Sequence, residues 1–221
     1  PSADHAGIIE GSFSSHAGER IGIVGTTGAG KTTLADLVLG LLRPREGRLV
    51  SDCVEVTSDN LRAWQQTVGY VPQNIYLTDA SVAENIAMGI APDEIDYQCL
   101  RRAAQIAQID QFIMAELPQG YDSIVGERGV RLSGGQRQRI GIARALYHDA
   151  DLIVFDEATS ALDNLTEREL MASIDALPGD KTIIMIAHRL TTVKVCDRIA
   201  VLEKGRLVGI GGWDELMDNN T

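Results

Sequence analysis

The sequence predicts an α/β layered fold, and three observations carry that expectation. Short apolar runs recur at Ile21-Gly22-Ile23-Val24, Leu152-Ile153-Val154-Phe155 and Ile183-Ile184-Met185-Ile186, and none alternates with polar residues. Strands buried on both faces of a central parallel sheet read this way. Helical stretches lie between the runs, which is the pattern of sheet and helix layers. The 221 residues are 44% hydrophobic, enough to bury a core in one domain or in a domain with an inserted lobe.

Taken in order, the first run is followed by a glycine-rich turn and then by a helix expected over Thr32 to Leu42. Arg43-Pro44 should stop it, because proline lacks the amide and disfavours helix in the residue before it. From about Asp79 to Leu146 the pattern changes. Leu100, Ala103, Ala104 and Ala107 repeat at helical spacing, and no strand-like run is read there, so this stretch is expected to be a mostly helical lobe. After the second and third apolar runs, Arg198 to Leu202 and Arg206 to Ile210 flank Glu203-Lys204-Gly205 and suggest a β-hairpin. The expected division is a sheet core of residues 1–78 and 148–221, with 79–147 as the helical lobe.

The net charge is -11, with 31 acidic against 20 basic residues, so the general field repels nucleic acid and anionic headgroups without excluding a local phosphate site. Cys53, Cys99 and Cys196 lie far apart with no Cys-x-x-Cys pair, so neither a disulfide framework nor a zinc site is expected. No apolar run approaches the roughly 18 residues of a membrane span, and no signal segment opens the chain. A start at Pro1 rather than Met suggests a trimmed, larger polypeptide.

Three motifs carry chemistry. Gly25-Thr26-Thr27-Gly28-Ala29-Gly30-Lys31-Thr32 fits G-x-x-x-x-G-K-[ST] between an expected strand and an expected helix. The glycines let backbone amides turn in around phosphates, and the helix N-terminus adds favourable partial charge. Lys31 is expected to reach the β- and γ-phosphates and Thr32 to ligate Mg²⁺, with Thr33 adjoining them in the ATP-binding set. The second motif is the strand from Leu152 that ends in Asp156-Glu157. Ligands gather at the C-terminal ends of strands in open α/β sheets. Asp156 would there hold Mg²⁺ through water, and Glu157 would orient or deprotonate the attacking water. The third is Leu132-Ser133-Gly134-Gly135-Gln136, which opens a helical run with a hydroxyl and exposed amides, a second anion-binding end.

In this order and spacing the three motifs resemble the nucleotide-binding domain of ABC transporters, from about Gly18 to Leu216. The resemblance implies a RecA-like P-loop NTPase core with an inserted α-helical subdomain, and ATP and Mg²⁺ as ligands. It implies that Gln73, in Tyr70-Val71-Pro72-Gln73, contacts Mg²⁺ and water and senses a transmembrane domain. Ser160-Ala161-Leu162-Asp163 is similar to the D-loop, and His188 to the switch histidine that touches the γ-phosphate. Val125-Gly126-Glu127-Arg128-Gly129 resembles the X-loop of exporters, and Ser81-Val82-Ala83-Glu84-Asn85-Ile86 is also similar to exporter sequences. The same resemblance implies an ATPase at the cytoplasmic face of a membrane. It would pair head to tail with a second copy, so that Ser133, Gly134, Gly135 and Gln136 of one chain cover the ATP held by Lys31 of the other.

Two departures from the family pattern stand out. Its first strand carries an aromatic residue that stacks on adenine. Here the only aromatic upstream of the phosphate loop is Phe13, expected to pack in the core, so the platform is expected near or before Pro1. Gly212-Trp213-Asp214 stands where the family has a histidine before Asp. The rival expectations are an importer ATPase and a soluble ABC protein of DNA repair or translation. The acidic charge and the absence of a long coiled-coil insertion weigh against the latter.

Overall fold

The computed structural model describes residues 8–9, 11–126, 130–157, 167–168, 171, 174–175, 179–187 and 190–218. Two compact units divide the chain. The first holds the described residues up to Tyr70, Asp151–Glu157 and those from Gly179 onward, and the second is built on Val71–Ala150.

Along the chain the first unit supplies β1 (Arg20–Gly25), α1 (Lys31–Val38), β2 (Val50–Ser51), β3 (Val54–Glu55), α2 (Leu61–Gln66) and most of β4 (Val68–Val71). The second unit supplies β5 (Ala80–Ser81), α3 (Val82–Ile86), α4 (Tyr97–Ile106), α5 (Asp110–Glu116), β6 (Ile124–Val125) and α6 (Gly134–Tyr147). The chain then returns to the first with β7 (Leu152–Asp156), β8 (Thr182–Ile186), α7 (Leu190–Val193), β9 (Arg198–Glu203), β10 (Arg206–Gly211) and α8 (Trp213–Asp218). Among the described residues no helix is long and apolar enough to cross a membrane.

The three apolar runs become β1, β7 and β8. They join β4, β9 and β10 in a six-stranded sheet of order β10-β9-β1-β8-β7-β4. β1 runs parallel to both β8 and β9, and β7 parallel to β8. Their C-terminal ends therefore share one edge, the edge from which the loops after Gly25 and Asp156 emerge. Ile23, Val154, Ile184, Ile186, Ala200 and Leu202 pack with Ala35, Val38 and Leu39 in one buried cluster. Each buried Val, Leu or Ile contributes about 1.5–3 kcal/mol relative to exposure. The expected hairpin is β9–β10, antiparallel, and its turn at Lys204 and Gly205 has φ of 47° and 77°, the handedness that suits twisted strands.

The sequence-based expectations need four corrections. Helix α1 ends at Val38 rather than at Leu42, because Gly40 adopts a left-handed φ of 68°. The Gly40 amide then donates to the Leu37 carbonyl at 3.1 Å and the Leu41 amide to that of Asp36 at 2.8 Å, a Schellman closure three residues ahead of Pro44. Short strands β5 and β6 pair antiparallel inside the stretch read as strand-free. Strand β4 and the β2–β3 hairpin were not expected. Phe13 is half-buried and is not a core residue.

In the second unit, Asp96 caps α4 by accepting from the amides of Gln98 at 2.8 Å and Cys99 at 3.1 Å. The stripe of Leu100, Ala103, Ala104 and Ala107 is buried, as the helical spacing predicts. Small alanines there let α4 pack closely against α6, which buries Ile140, Ile142, Ala143 and Ala145.

The turn before β1 is tied to β9 by Glu19. Its carboxylate accepts from Arg198, with Nη2 to Oε2 at 3.0 Å, and from the His16 amide at 2.8 Å. The Arg198 hydrogen bonds hold the Glu19 carboxyl below its ordinary value of 4.5, and the His16 amide adds to this against the opposing effect of burial. A carboxyl whose value is lowered by folding adds stability above its unfolded value, and that contribution is lost as pH falls through the lowered folded value. Thermal unfolding of wild type measured below pH 4.5 is thus expected to decline more steeply than that of Glu19→Gln. Parallel declines would remove this pair from the pH dependence.

Candidate functional site

The phosphate loop begins where β1 leaves the sheet. Gly28 and Gly30 have φ of 80° and 103°, a left-handed backbone that L side chains rarely adopt. A Cβ at Gly28 would meet nothing within 4 Å, so the glycine is there for its conformation and the loop faces open space. Ala29 is buried and anchors the loop, accepting from the Gly205 amide at 3.0 Å, while its own amide donates to the Thr26 carbonyl at 3.0 Å. Gly30 caps α1 without any side-chain hydrogen bond, leaving first-turn amides to serve an anion.

Lys31 is only 6% exposed, and its Nζ donates to the carbonyls of Gly25 at 2.7 Å and Thr26 at 3.3 Å. The cation is thus folded back under the loop it serves. Thr26, Thr27, Gly28 and Thr32 are exposed, and Gly25 and Thr33 are half-buried.

At the end of β7, Asp156 is 8% exposed. Its Oδ2 accepts from the Tyr70 hydroxyl at 3.3 Å. Burial raises the Asp156 pKa from its ordinary value, Glu157 and Asp36 add repulsion, and Tyr70 and Lys31 oppose the shift. Burial and the Asp156 charge push the Tyr70 hydroxyl up to about 12, so it stays a donor. A carboxylate set among other carboxylates and removed from water gains from a divalent cation, so Asp156 suits Mg²⁺. Among the described residues no group of three or more His, Cys, Asp or Glu could hold a metal. A hard cation here would complete its shell with hydroxyl, water and phosphate oxygens.

Glu157 leaves the strand with φ of 52°, and its amide donates to the Ile186 carbonyl at 2.9 Å. A left-handed conformation in a residue other than glycine costs on the order of 1–3 kcal/mol, and such outliers gather at functional sites.

In the second unit, Ser133 caps α6. Its Oγ accepts from the Gln136 amide at 3.2 Å, and the Gln136 Oε1 accepts from the Ser133 amide at 2.7 Å, a reciprocal capping box. Capping occupies a lone pair of the hydroxyl and leaves its proton free to donate. Gly134 and Gly135 form the first turn with half-buried backbones, and Ser133 is exposed. Gln73 lies exposed on the loop after β4. Ser81 caps α3, the helix of the exporter-like segment, through a second capping box with Glu84.

The first unit therefore gathers Lys31, Asp156 and Glu157, and adds Tyr70, to which the sequence alone assigns no role. Ser133, Gly134, Gly135 and Gln136 belong with Gln73 to the second. His188, Asp163 and residues 127–129 lie outside the described residues.

The family described as ABC transporter matches residues 10–160. The chain is 43% identical over 202 residues to the heterocyst differentiation ATP-binding protein HepA of a Nostoc species, covering 91% of this chain and 33% of that protein. It is 42% identical over 214 residues to the beta-(1-->2)glucan export ATP-binding/permease protein NdvA of Rhizobium meliloti, covering 97% of this chain and 36% of NdvA. Identity with the ATP-dependent lipid A-core flippase of Pseudomonas aeruginosa is 43% over 223 residues, covering 100% of this chain and 36% of the flippase. A solved structure of a bacterial Atm1-family ABC exporter with ATP bound superposes on the whole chain with a TM-score of 0.91 at 39% identity, covering 38% of that exporter's chain. The chain thus spans about a third of the length of the curated relatives it matches.

Proposed function

The chain belongs to the ABC transporter family and has its ATPase fold, and on that premise we propose that it hydrolyses ATP as one half of a head-to-tail dimer that drives an exporter. The observation that carries the reading is the phosphate loop itself. Two left-handed glycines, an uncapped helix start and a buried lysine converge beside the carboxylate of Asp156. That arrangement suits a polyphosphate bound with a divalent cation.

On this reading the loop amides of residues 26–30 bind the phosphates. Lys31 exchanges its contacts with the Gly25 and Thr26 carbonyls for oxygens of the β- and γ-phosphates. Thr32 and Asp156 would hold Mg²⁺, Gln73 would contribute to its shell, and Tyr70 keeps the Asp156 carboxylate oriented. Bound Mg²⁺ would offset the phosphate charge and align the transferring group. Glu157 takes the proton of the attacking water. Ser133, Gly134 and Gly135 of a second copy donate to the γ-phosphate, so binding of ATP closes the dimer and loss of phosphate reopens it. Asp163 and His188 complete the site as the family resemblance implies.

Export as the output is supported by what the relatives are: a glucan export protein, a lipid A-core flippase and an Atm1-family exporter. The reading places the chain at the cytoplasmic face of a membrane, beside a transmembrane domain that meets the Gln73 loop and the segment Val125–Gly129. Several apolar spans of about 20 residues encoded in the same polypeptide are expected. A separately encoded membrane subunit would favour the importer reading.

Phosphate release from ATP by this chain tests the chemistry. Turnover is expected with Mg²⁺, is expected to stop when the ion is chelated, and should return when it is restored. Turnover that persists without a divalent ion would contradict the roles given to Thr32 and Asp156.

A further inference from the structure

The segment that follows Gln73 is seated on the helix that carries the signature. Ile75 packs on Gly141 of α6 so closely that a Cβ added there would stand 2.3 Å from Ile75 Cδ1 and 2.8 Å from its Cγ1. One turn further along α6, Arg144 Nη2 donates to the Tyr76 carbonyl at 3.1 Å and its Nε to the Asn85 carbonyl at 2.8 Å. Asn85 is fully buried and folds residues 78–81 around itself. Its Nδ2 donates to the carbonyls of Thr78 at 3.1 Å and Ser81 at 3.0 Å, and its Oδ1 accepts from the Thr78 amide at 3.0 Å. Packing at Gly141 and hydrogen bonds at Arg144 thus hold one short stretch of chain from two sides.

Ser133 caps the same helix, and Arg144 lies about 16 Å further along it at a rise of about 1.5 Å per residue. Gln73 precedes Ile75 by two residues. We propose that Arg144 is a positioning residue, which with Gly141 locks the Gln73 loop to the signature helix so that the two ends of the hydrolytic machinery in this unit move as one body. This rests on the reading of Gln73 as part of the hydrolytic site. Arg144 spends its guanidinium on the carbonyls of Tyr76 and Asn85. It acts through Gln73, because a loop released from α6 no longer holds that amide at a defined point. Binding of ATP belongs to the phosphate loop in the other unit and does not depend on the seat.

The test is steady-state ATP hydrolysis by the chain, with KM, kcat and thermal midpoint, for wild type, Arg144→Met, Arg144→Lys, Gln73→Ala and the Arg144→Met/Gln73→Ala double variant. Arg144→Met keeps much of the side-chain volume and loses both donors. It is expected to lower kcat roughly ten- to a hundredfold, the scale of a small misplacement of a catalytic group, with KM for ATP unchanged. Arg144→Lys, which keeps a cationic donor, should recover part of the loss. In the Gln73→Ala background Arg144→Met should have no further effect, since a residue that acts through another does not add to its removal. Gly141→Ala disturbs the same seat without removing a charge. It is expected to show the same dependence on Gln73, and it decides the matter if Arg144→Met does not fold.

Unchanged kcat in Arg144→Met and Gly141→Ala, with Gln73→Ala impaired, would overturn the positioning role and leave the proposed function standing. Equal losses with and without Gln73 would also overturn it, as the mark of a general structural defect. Full activity in Gln73→Ala would overturn both the reading of Gln73 and the role of Arg144.

Discussion

Lys31→Ala is expected to lower kcat for ATP hydrolysis by at least about a hundredfold, the scale seen when one preorganised electrostatic stabiliser is removed from a transition state. Lys31 is the cation that the fold places beneath the phosphate loop, 2.7 Å from the Gly25 carbonyl and within the electrostatic reach of Asp156. From there it can meet the charge that develops on the transferring phosphoryl group. The substitution also removes the two hydrogen bonds that tie the side chain to the loop, so nucleotide affinity should fall as well. Phosphate release by the variant, with circular dichroism to show that it is folded, checks this. Wild-type turnover in a folded Lys31→Ala chain would remove the phosphate-loop assignment.

Glu157→Gln is expected to separate binding from chemistry. The amide is nearly isosteric and can still hydrogen-bond to water, but it cannot accept the proton, and loss of a general base costs typically 10²–10⁴-fold. The phosphate loop and Lys31 are untouched, so ATP affinity should hold. Removal of a carboxylate beside Asp156 also lessens the repulsion between the two, which should favour the anionic ligand further. A fluorescent ATP analogue measures affinity, and a single-turnover assay measures chemistry. Equal loss of both would mean that Glu157 holds the backbone of the site rather than a proton.

Much of the fold was legible because burial writes itself into composition. The runs at 21–24, 152–155 and 183–186 have no polar alternation, since the parallel strands they form are mostly hidden. The phosphate loop was legible because left-handed backbone at positions 28 and 30 calls for glycine. Other features left no local sign. The β2–β3 hairpin turns at Asp52 and Cys53, both left-handed at φ of 47° and 66°, without the glycine that marks such a turn. The Tyr70 to Asp156 hydrogen bond joins residues 86 apart. Arg144 and its carbonyl partners at Asn85 and Tyr76 lie 59 and 68 apart. No spacing rule connects such pairs, since each depends on the path of the chain between them. The end of α1 differs for another reason: Pro44 is the stronger stop signal in the sequence, but Gly40 comes first and closes the helix before the chain reaches it.

Light scattering of Glu157→Gln tests most directly whether ATP is held between two copies of the chain. Wild type is expected to hydrolyse its ligand and separate, and a net charge of -11 on each chain gives the nucleotide-free form little reason to associate. Glu157→Gln should therefore be a monomer without ATP and a dimer with it. Addition of Ser133→Arg, which replaces the hydroxyl at the start of α6 with a side chain too long for a second copy's phosphate, should return the ATP-bound sample to monomer. A Glu157→Gln chain that binds ATP yet remains monomeric, or a dimer that persists with Ser133→Arg added, would contradict the composite site.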